Sequence, residues 1–220
     1  MTTTYTGGGT GIYGNRASMS YYNPTGVGST SASITNLLGG SKWGGGIGSG
    51  VSLTTSFSTL NSRYGYNTGD TARVTAFSLA QITAARSAMA GWAAVAKITF
   101  TETTDSSTNA GDIRWGQSND YSNPTAYAWY PSTTANAGDI WFGPNYPSYY
   151  NNPVVGTYGY QTFVHELGHA LGLCHPHTGP VAPVAGQDQL KYSVMSYRSY
   201  NGDDLNGYSN AFYPTSPMLN

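Results

Sequence analysis

The chain has four histidines, all between residues 165 and 177. Three of them fall in His165-Glu166-Leu167-Gly168-His169-Ala170-Leu171-Gly172-Leu173-Cys174-His175, which fits H-E-x-x-H-x-x-G-x-x-H. With this composition, chance yields the full pattern on the order of once in a million such chains, so it is read as chemistry and not as a histidine-rich helix end. On a helix, His165 and His169 stand one turn apart on one face, and both imidazoles reach a single ion. Glu166 then lies beside that ion instead of on it. His175 is six residues past His169, where a continuing helix would point it away. Gly172 supplies the reversal, because glycine takes positive φ at little cost, and Pro176 bars further helix. Three protein ligands leave a fourth position open, as in catalytic zinc sites; structural sites are closed by four. Such a zinc brings the pKa of bound water to about 7 and polarises a carbonyl. Glu166 is placed to take the water's proton and pass it to a leaving amine. The chemistry is metal-assisted hydrolysis of an amide bond. His177, just outside the pattern, reads as a loop residue. Cys174 reads as a small buried packing residue. Glu102, the only other glutamate, reads as structural.

The elements around the pattern follow from periodicity. Tyr160–Leu173 reads as the helix that carries the first two histidines. Leu79, Ile82, Ala85, Met89, Trp92 and Val95 recur at helical spacing, and Ser78 with Gln81 forms a capping box at their start. Residues 51–57 and 97–102 read as strands on either side. Strand, helix and strand in that order predict a parallel pair joined by a crossover. Two short stretches echo each other, NAGDIRWG at 109–116 and NAGDIWFG at 136–143. Asp112 and Asp139 are either calcium ligands or turn residues ahead of two strands, and the turn reading is preferred. Residues 125–130 read as an edge strand flanked by Pro124 and Pro131. Residues 144–157 and the stretch from Cys174 onward read as loops. Residues 1–50 are rich in Gly, Ser, Thr and Tyr and weakly periodic; they read as mostly loop, with a short helix near 31–38.

Composition narrows the function classes. Only 9% of the 220 residues are charged, against roughly 25% in ordinary soluble domains, and the formal net charge is -1. That balance offers no electrostatic grip on nucleic acid or an anionic membrane. No run approaches the roughly 20 apolar residues of a membrane span. The start, Met1 to Tyr5, lacks the basic and apolar regions of a secretory signal peptide. Cys174 is the sole cysteine, so no intrachain disulfide forms.

A second signal lies downstream in Tyr192-Ser193-Val194-Met195-Ser196-Tyr197, a Met-turn when paired with a zinc helix. With both segments, the chain resembles the metzincins and, among them, the serralysin (alkaline protease) family. Pro176 after the third histidine, the sequence SVMSY at 193–197 and the absence of disulfides select that branch. The stretches at 77–102, 125–131 and 158–176 extend the likeness over roughly residues 50–200. The resemblance implies an α/β (α+β) metzincin zinc-protease fold. Its twisted, mixed, mostly parallel five-stranded sheet would carry an edge strand over the cleft, with two long helices. It implies one catalytic zinc on His165, His169 and His175, with Met195 as the floor beneath it. Tyr197 would stabilise an oxyanion. Ala126, Tyr127, Ala128 and Trp129 would bind an extended peptide by strand addition. The expected protein is thus a monomeric, secreted zinc endopeptidase acting on protein or peptide substrates. The rival is a truncated scaffold that keeps zinc and grips peptides without turnover. Residues 1–50 would be a leader or a segment packed on the domain, and 51–220 the catalytic domain. The family's C-terminal calcium-binding repeats have no counterpart in this chain, so calcium binding is left open. Arg198 replaces the family's usual Trp, which is expected to alter the substrate pocket.

Overall fold

The computed structural model describes residues 2–5, 16–28, 31–123, 125–200 and Asp203. Pro124 and the C-terminal residues Pro217 to Asn220 lie outside the described residues. Two sheets are present among those described. A small antiparallel sheet joins β1 (Thr3–Tyr5), β2 (Met19–Tyr21) and β3 (Ser41–Trp43) in that order. The large sheet runs β6 (Ile98–Glu102), β4 (Val51–Phe57), β7 (Ile113–Ser118), β9 (Asp139–Phe142), β8 (Ala126–Ala128), and β5 (Val74–Thr75) pairs with β7 off this path. β4 is parallel to β6 and β7, and β7 is parallel to β9; β8 and β5 pair antiparallel. The expected five-strand path is therefore present, and the two-residue β5 makes the sheet six-stranded.

Residues 1–50 depart from expectation. Within 31–38 there is only one short helix, α1 (Ala32–Thr35). Three strands occupy stretches that read as loop, because three-residue strands carry too few positions to show alternation. A four-residue helix, α2 (Gly69–Ala72), precedes β5.

Between β4 and β6 runs α3 (Leu79–Val95), which begins with the reciprocal Ser78–Gln81 capping box. Ala84, Ala85, Ala88 and Met89 form its buried face, while Leu79 and Val95 at its ends are exposed. Small residues there let the helix approach its neighbours closely. A further turn, α4 (Pro147–Tyr150), sits in the 144–157 connection. The site helix, α5 (Tyr158–Leu171), starts where the Thr157 side chain accepts from Tyr160 N–H. It begins and ends two residues earlier than periodicity predicts.

Phe163, Leu167 and Ala170 seat α5 in the core, each fully buried. The Phe163 ring stacks on Phe142 at 4.2 Å and on Trp115 at 5.8 Å between centroids. Burial of such a side chain contributes roughly 1.5–3 kcal/mol. Two indoles then tie the α5 backbone: Trp92 Nε1 donates to Val164 O at 3.1 Å, and Trp43 Nε1 to Ala170 O at 2.8 Å. No described helix is long and apolar enough to cross a membrane.

The two echo segments end as heads of neighbouring parallel strands, β7 and β9. Asp112 accepts from Ala17 N–H, Thr54 N–H and Thr54 Oγ1. Asp139 accepts from Tyr66 OH at 2.7 Å and lies 3.8 Å from Arg16. Burial pushes the Asp139 carboxyl up to about 7, against the pull of Arg114 and Arg16.

Candidate metal centre and cleft

His165 and His169 project from one face of α5, both more than nine-tenths buried. The helix ends in a Schellman turn. Leu173 N–H donates to Gly168 O and Gly172 N–H to His169 O, each at 2.9 Å. Gly172 has φ 108°, and a Cβ there would strike Ser41 O. Only glycine fits both the left-handed backbone and the close approach. The reversed chain returns His175 to the first two histidines. His175 Nε2 lies 3.1 Å from His165 Nε2 and 2.8 Å from His169 Nε2.

The remaining ring nitrogens of the helical pair are committed. His165 Nδ1 donates to Val194 O and His169 Nδ1 to Leu173 O, both at 2.7 Å. Those bonds fix the tautomers so that Nε2 faces the shared point, the arrangement that metal-binding imidazoles require. Burial is the main cause that lowers all three pKa values, to about 3 for His165 and about 2 for His175. The rings are therefore neutral at neutral pH, as ligands must be. This donor set fits a metal ion, and it is the sole such group among the described residues.

Glu166 stands next to it, 6% exposed, with Oε2 buried and without a hydrogen bond. Burial raises its carboxyl to about 8. Tyr197 lies over the same centre, its ring 4.2 Å from His175 and 5.6 Å from His165 between centroids. Burial lifts its hydroxyl to about 12. Met195 is buried beneath α5, and a Cβ on Gly168 would collide with its sulfur. Gly168 is thus the residue that lets the Met-turn close under the helix. His177 belongs to a 3-10 turn at Pro176–Thr178 and stacks on His175 at 5.1 Å. Cys174 is buried and its thiol donates to Asn36 O.

The cleft opens beside β8, an edge strand of the large sheet. Gly143 N–H donates to Thr125 O and Trp129 N–H to Asp139 O, and Tyr127 lies opposite Trp141. By antiparallel alternation, Ala126 and Ala128 turn their N–H and C=O groups away from β9, toward the open edge. Tyr127 and Trp129 sit on the opposite face, edge to face at 6.1 Å. A cavity of about 200 Å³ lies between this strand and the metal centre, walled by Thr125, Ala126, Tyr158, Gln161, Thr162, His165, Glu166 and Tyr197. Arg198 does not wall it. Its guanidinium pairs with Asp188 at 3.2 Å, so the Trp-to-Arg departure bears on the Met-turn and not on this cavity.

Several supporting residues escaped the sequence reading. Asp188 holds the Met-turn, accepting from Ser196 Oγ and from Arg198. The N-terminal segment clamps the turn after α5: Gly39 N–H donates to Gly172 O at 2.8 Å, Cys174 N–H to Leu37 O at 2.9 Å, and Asn36 Nδ2 to Pro176 O. Nothing local in the sequence points to these pairings. Gln161 is different, because it lies four residues before His165 and helical spacing places the two on one face.

Comparison with known proteins follows the same lines. The family model for matrixin, a peptidase model, matches residues 67–183. Serralysin C of Dickeya chrysanthemi is 36% identical over 191 residues, 80% of this chain and 39% of the relative. Metallopeptidase AprA of Pseudomonas marginalis is 36% identical over 168 residues, 71% and 35% respectively. Among solved structures, myroilysin aligns at 20% identity and a TM-score of 0.41, covering 79% of this chain and 72% of that one. The chain spans about two-fifths of the length of the serralysins it matches. The family uses zinc, and the three histidines supply a place for it. By the matrixin match and the serralysin likeness, this chain belongs to the matrixin family of metzincin peptidases, as a serralysin-type domain.

Proposed function

We propose that this chain is a zinc endopeptidase, with His165, His169 and His175 as the zinc ligands and Glu166 as the general base. The observation that carries the reading is a buried carboxylate, unpartnered at Oε2, beside three converging neutral imidazoles. Zinc, when bound, makes a water acidic and polarises the scissile carbonyl. Glu166 accepts the proton from the attacking water and delivers it to the departing amine. Tyr197 donates its hydroxyl proton in a hydrogen bond to the oxygen on which charge builds, a role that its high pKa preserves. Met195 holds the floor by filling the space at Gly168.

A substrate in extended form adds to β8 as an antiparallel strand. The free N–H and C=O groups of Ala126 and Ala128 bind its main chain, while Tyr127 and Trp129 cover the opposite face. This geometry selects unfolded or flexible protein segments. Residues 1–50 act with 51–220 as one unit, because they brace the turn that presents His175. Family resemblance also favours a secreted, monomeric protein.

The test is hydrolysis of casein by the purified chain, with metal content measured on the same sample. Cleavage abolished by a chelator and restored by zinc, at one zinc per chain, is expected. One bound zinc with no cleavage of casein would replace this reading with a zinc-containing peptide-binding module.

A further inference from the structure

The cavity beside Glu166 contains one polar group that the hydrolytic machinery does not use. Gln161 is 6% exposed and walls the cavity, yet its carboxamide makes no hydrogen bond to any described residue. Two hydroxyls of the wall are engaged: Thr125 Oγ1 with Tyr150 OH, and Thr162 Oγ1 with Tyr158 O at 3.0 Å. The polar atoms of Gln161 are not among the fully buried, unpartnered ones, so the carboxamide faces the solvent of the cavity, and a ligand that displaces that water must replace its hydrogen bonds. The carboxamide offers one acceptor and two donors. Its best complement is a second carboxamide, which returns a donor for the acceptor and an acceptor for a donor.

The cavity's place along β8 says which substrate residue reaches it. Thr125 and Ala126, at the start of the strand, form its wall. Tyr130, just past the strand's other end, touches the His169 ring at 5.5 Å. A peptide antiparallel to β8 runs from the Tyr130 end toward the Thr125 end. The cavity therefore receives the side chain that follows the scissile bond.

We propose that Gln161 is a specificity residue, and that this pocket selects asparagine or glutamine as the first residue after the cleaved bond. The proposal rests on the peptidase reading for the identity of the substrate and on the cavity alone for the selectivity. An aliphatic side chain that displaces the cavity water leaves the Gln161 amide without a partner.

The test uses two peptide hydroxamates that carry the metal-binding group at their N-terminal end and differ only in the first side chain, Gln or Leu. On the zinc-loaded chain, the Gln ligand is expected to bind about tenfold tighter. Gln161→Leu should bring that ratio to one or below at unchanged zinc content. Gln161→Glu should instead favour a third ligand with Lys at that position, and it keeps the test open if the leucine variant fails to fold. Cleavage sites in a digested peptide library should show the same preference. Equal or tighter binding of the Leu ligand to the unaltered chain overturns the proposal, as does a ratio that the substitutions leave alone. A preference that appears before the cleaved bond instead of after it overturns the antiparallel placement. A chain that discriminates between the ligands yet cleaves nothing would refute the peptidase reading and leave the pocket standing.

Discussion

The ion pair between Asp105 and Arg114 and the carboxyl of Glu166 are all deeply buried, but their surroundings differ. Arg114 Nε and Nη2 each donate to an Asp105 oxygen at 2.7 Å, and both side chains are fully buried. Ser56 and Ser62 add hydroxyl donors to the same carboxylate, and Tyr64 lies 3.5 Å from the guanidinium. Burial by itself would strip the Arg114 charge, and the bonds to Asp105 hold its pKa raised instead. In the cleft, Glu166 Oε2 and the Gln161 carboxamide meet no protein partner among the described residues. A fully satisfied network fixes geometry, whereas an unsatisfied one holds interaction free energy in reserve for a ligand. Asn36 Oδ1 and Asp139 Oδ1 are buried without a hydrogen-bond partner too, so what sets Glu166 apart is its place beside three converging imidazoles.

The comparison breaks most visibly at Glu166. Glu166→Ala should keep its zinc, since the three imidazoles remain, and lose about 10²–10⁴-fold in casein hydrolysis. Activity at the unaltered rate would remove Glu166 from the role of base. Next in size is Asp105→Ala, which strands a buried guanidinium. Denaturant unfolding should report a loss of about 3–5 kcal/mol, with metal stoichiometry unchanged in the molecules that stay folded. If stability did not move, the buried pair would be no part of what holds the sheet.

The third prediction concerns pH in the chelated chain. The folded imidazoles of His165, His169 and His175 sit below their usual 6.5, so below that pH the unfolded chain takes up protons that the native state refuses. Stability should fall as pH drops from 6.5. Glu166 opposes this between 4.5 and 8, because the folded state keeps a proton that the unfolded chain releases. Asp139, raised to about 7, opposes it in the same way; three imidazoles against two carboxyls still set the sign, so the chelated protein should unfold at slightly lower denaturant at pH 5 than at pH 6.5. The smallest effect is expected at the exposed pair of Arg86 and Glu102, bonded at 2.6 and 2.7 Å. Arg86→Ala should leave the melting temperature essentially where it is, because solvent screens such pairs.

What was legible in the sequence follows from range. The two histidines one turn apart, the glycine that reverses the chain and the Ser78–Gln81 cap are local, and each appears in the structure where spacing puts it. The crossover from β4 to β6 was legible because a long periodic helix separates two alternating strands. The three strands of the N-terminal segment were not. Their pairing partners are distant in the chain, as in Met19 with Trp43, and no three-residue strand announces its partner. Asp112 shows the same limit from another side. Turn chemistry suggests a cap on its own loop, yet its oxygens serve Ala17 and Thr54. Gln161 was within reach, since it shares a helix face with His165, but its significance depends on a cavity that only the folded chain encloses.

The clamp around the end of α5 also sets an order of events. Trp43 reaches Ala170, Asn36 reaches Pro176 and Cys174 reaches Asn36 across 127, 140 and 138 residues of chain. Contacts of such separation form late in folding, after the closure entropy of the intervening loop has been overcome. The first two imidazoles share one helix and need no such closure to stand side by side, whereas the third is held by a turn that the distant N-terminal segment braces.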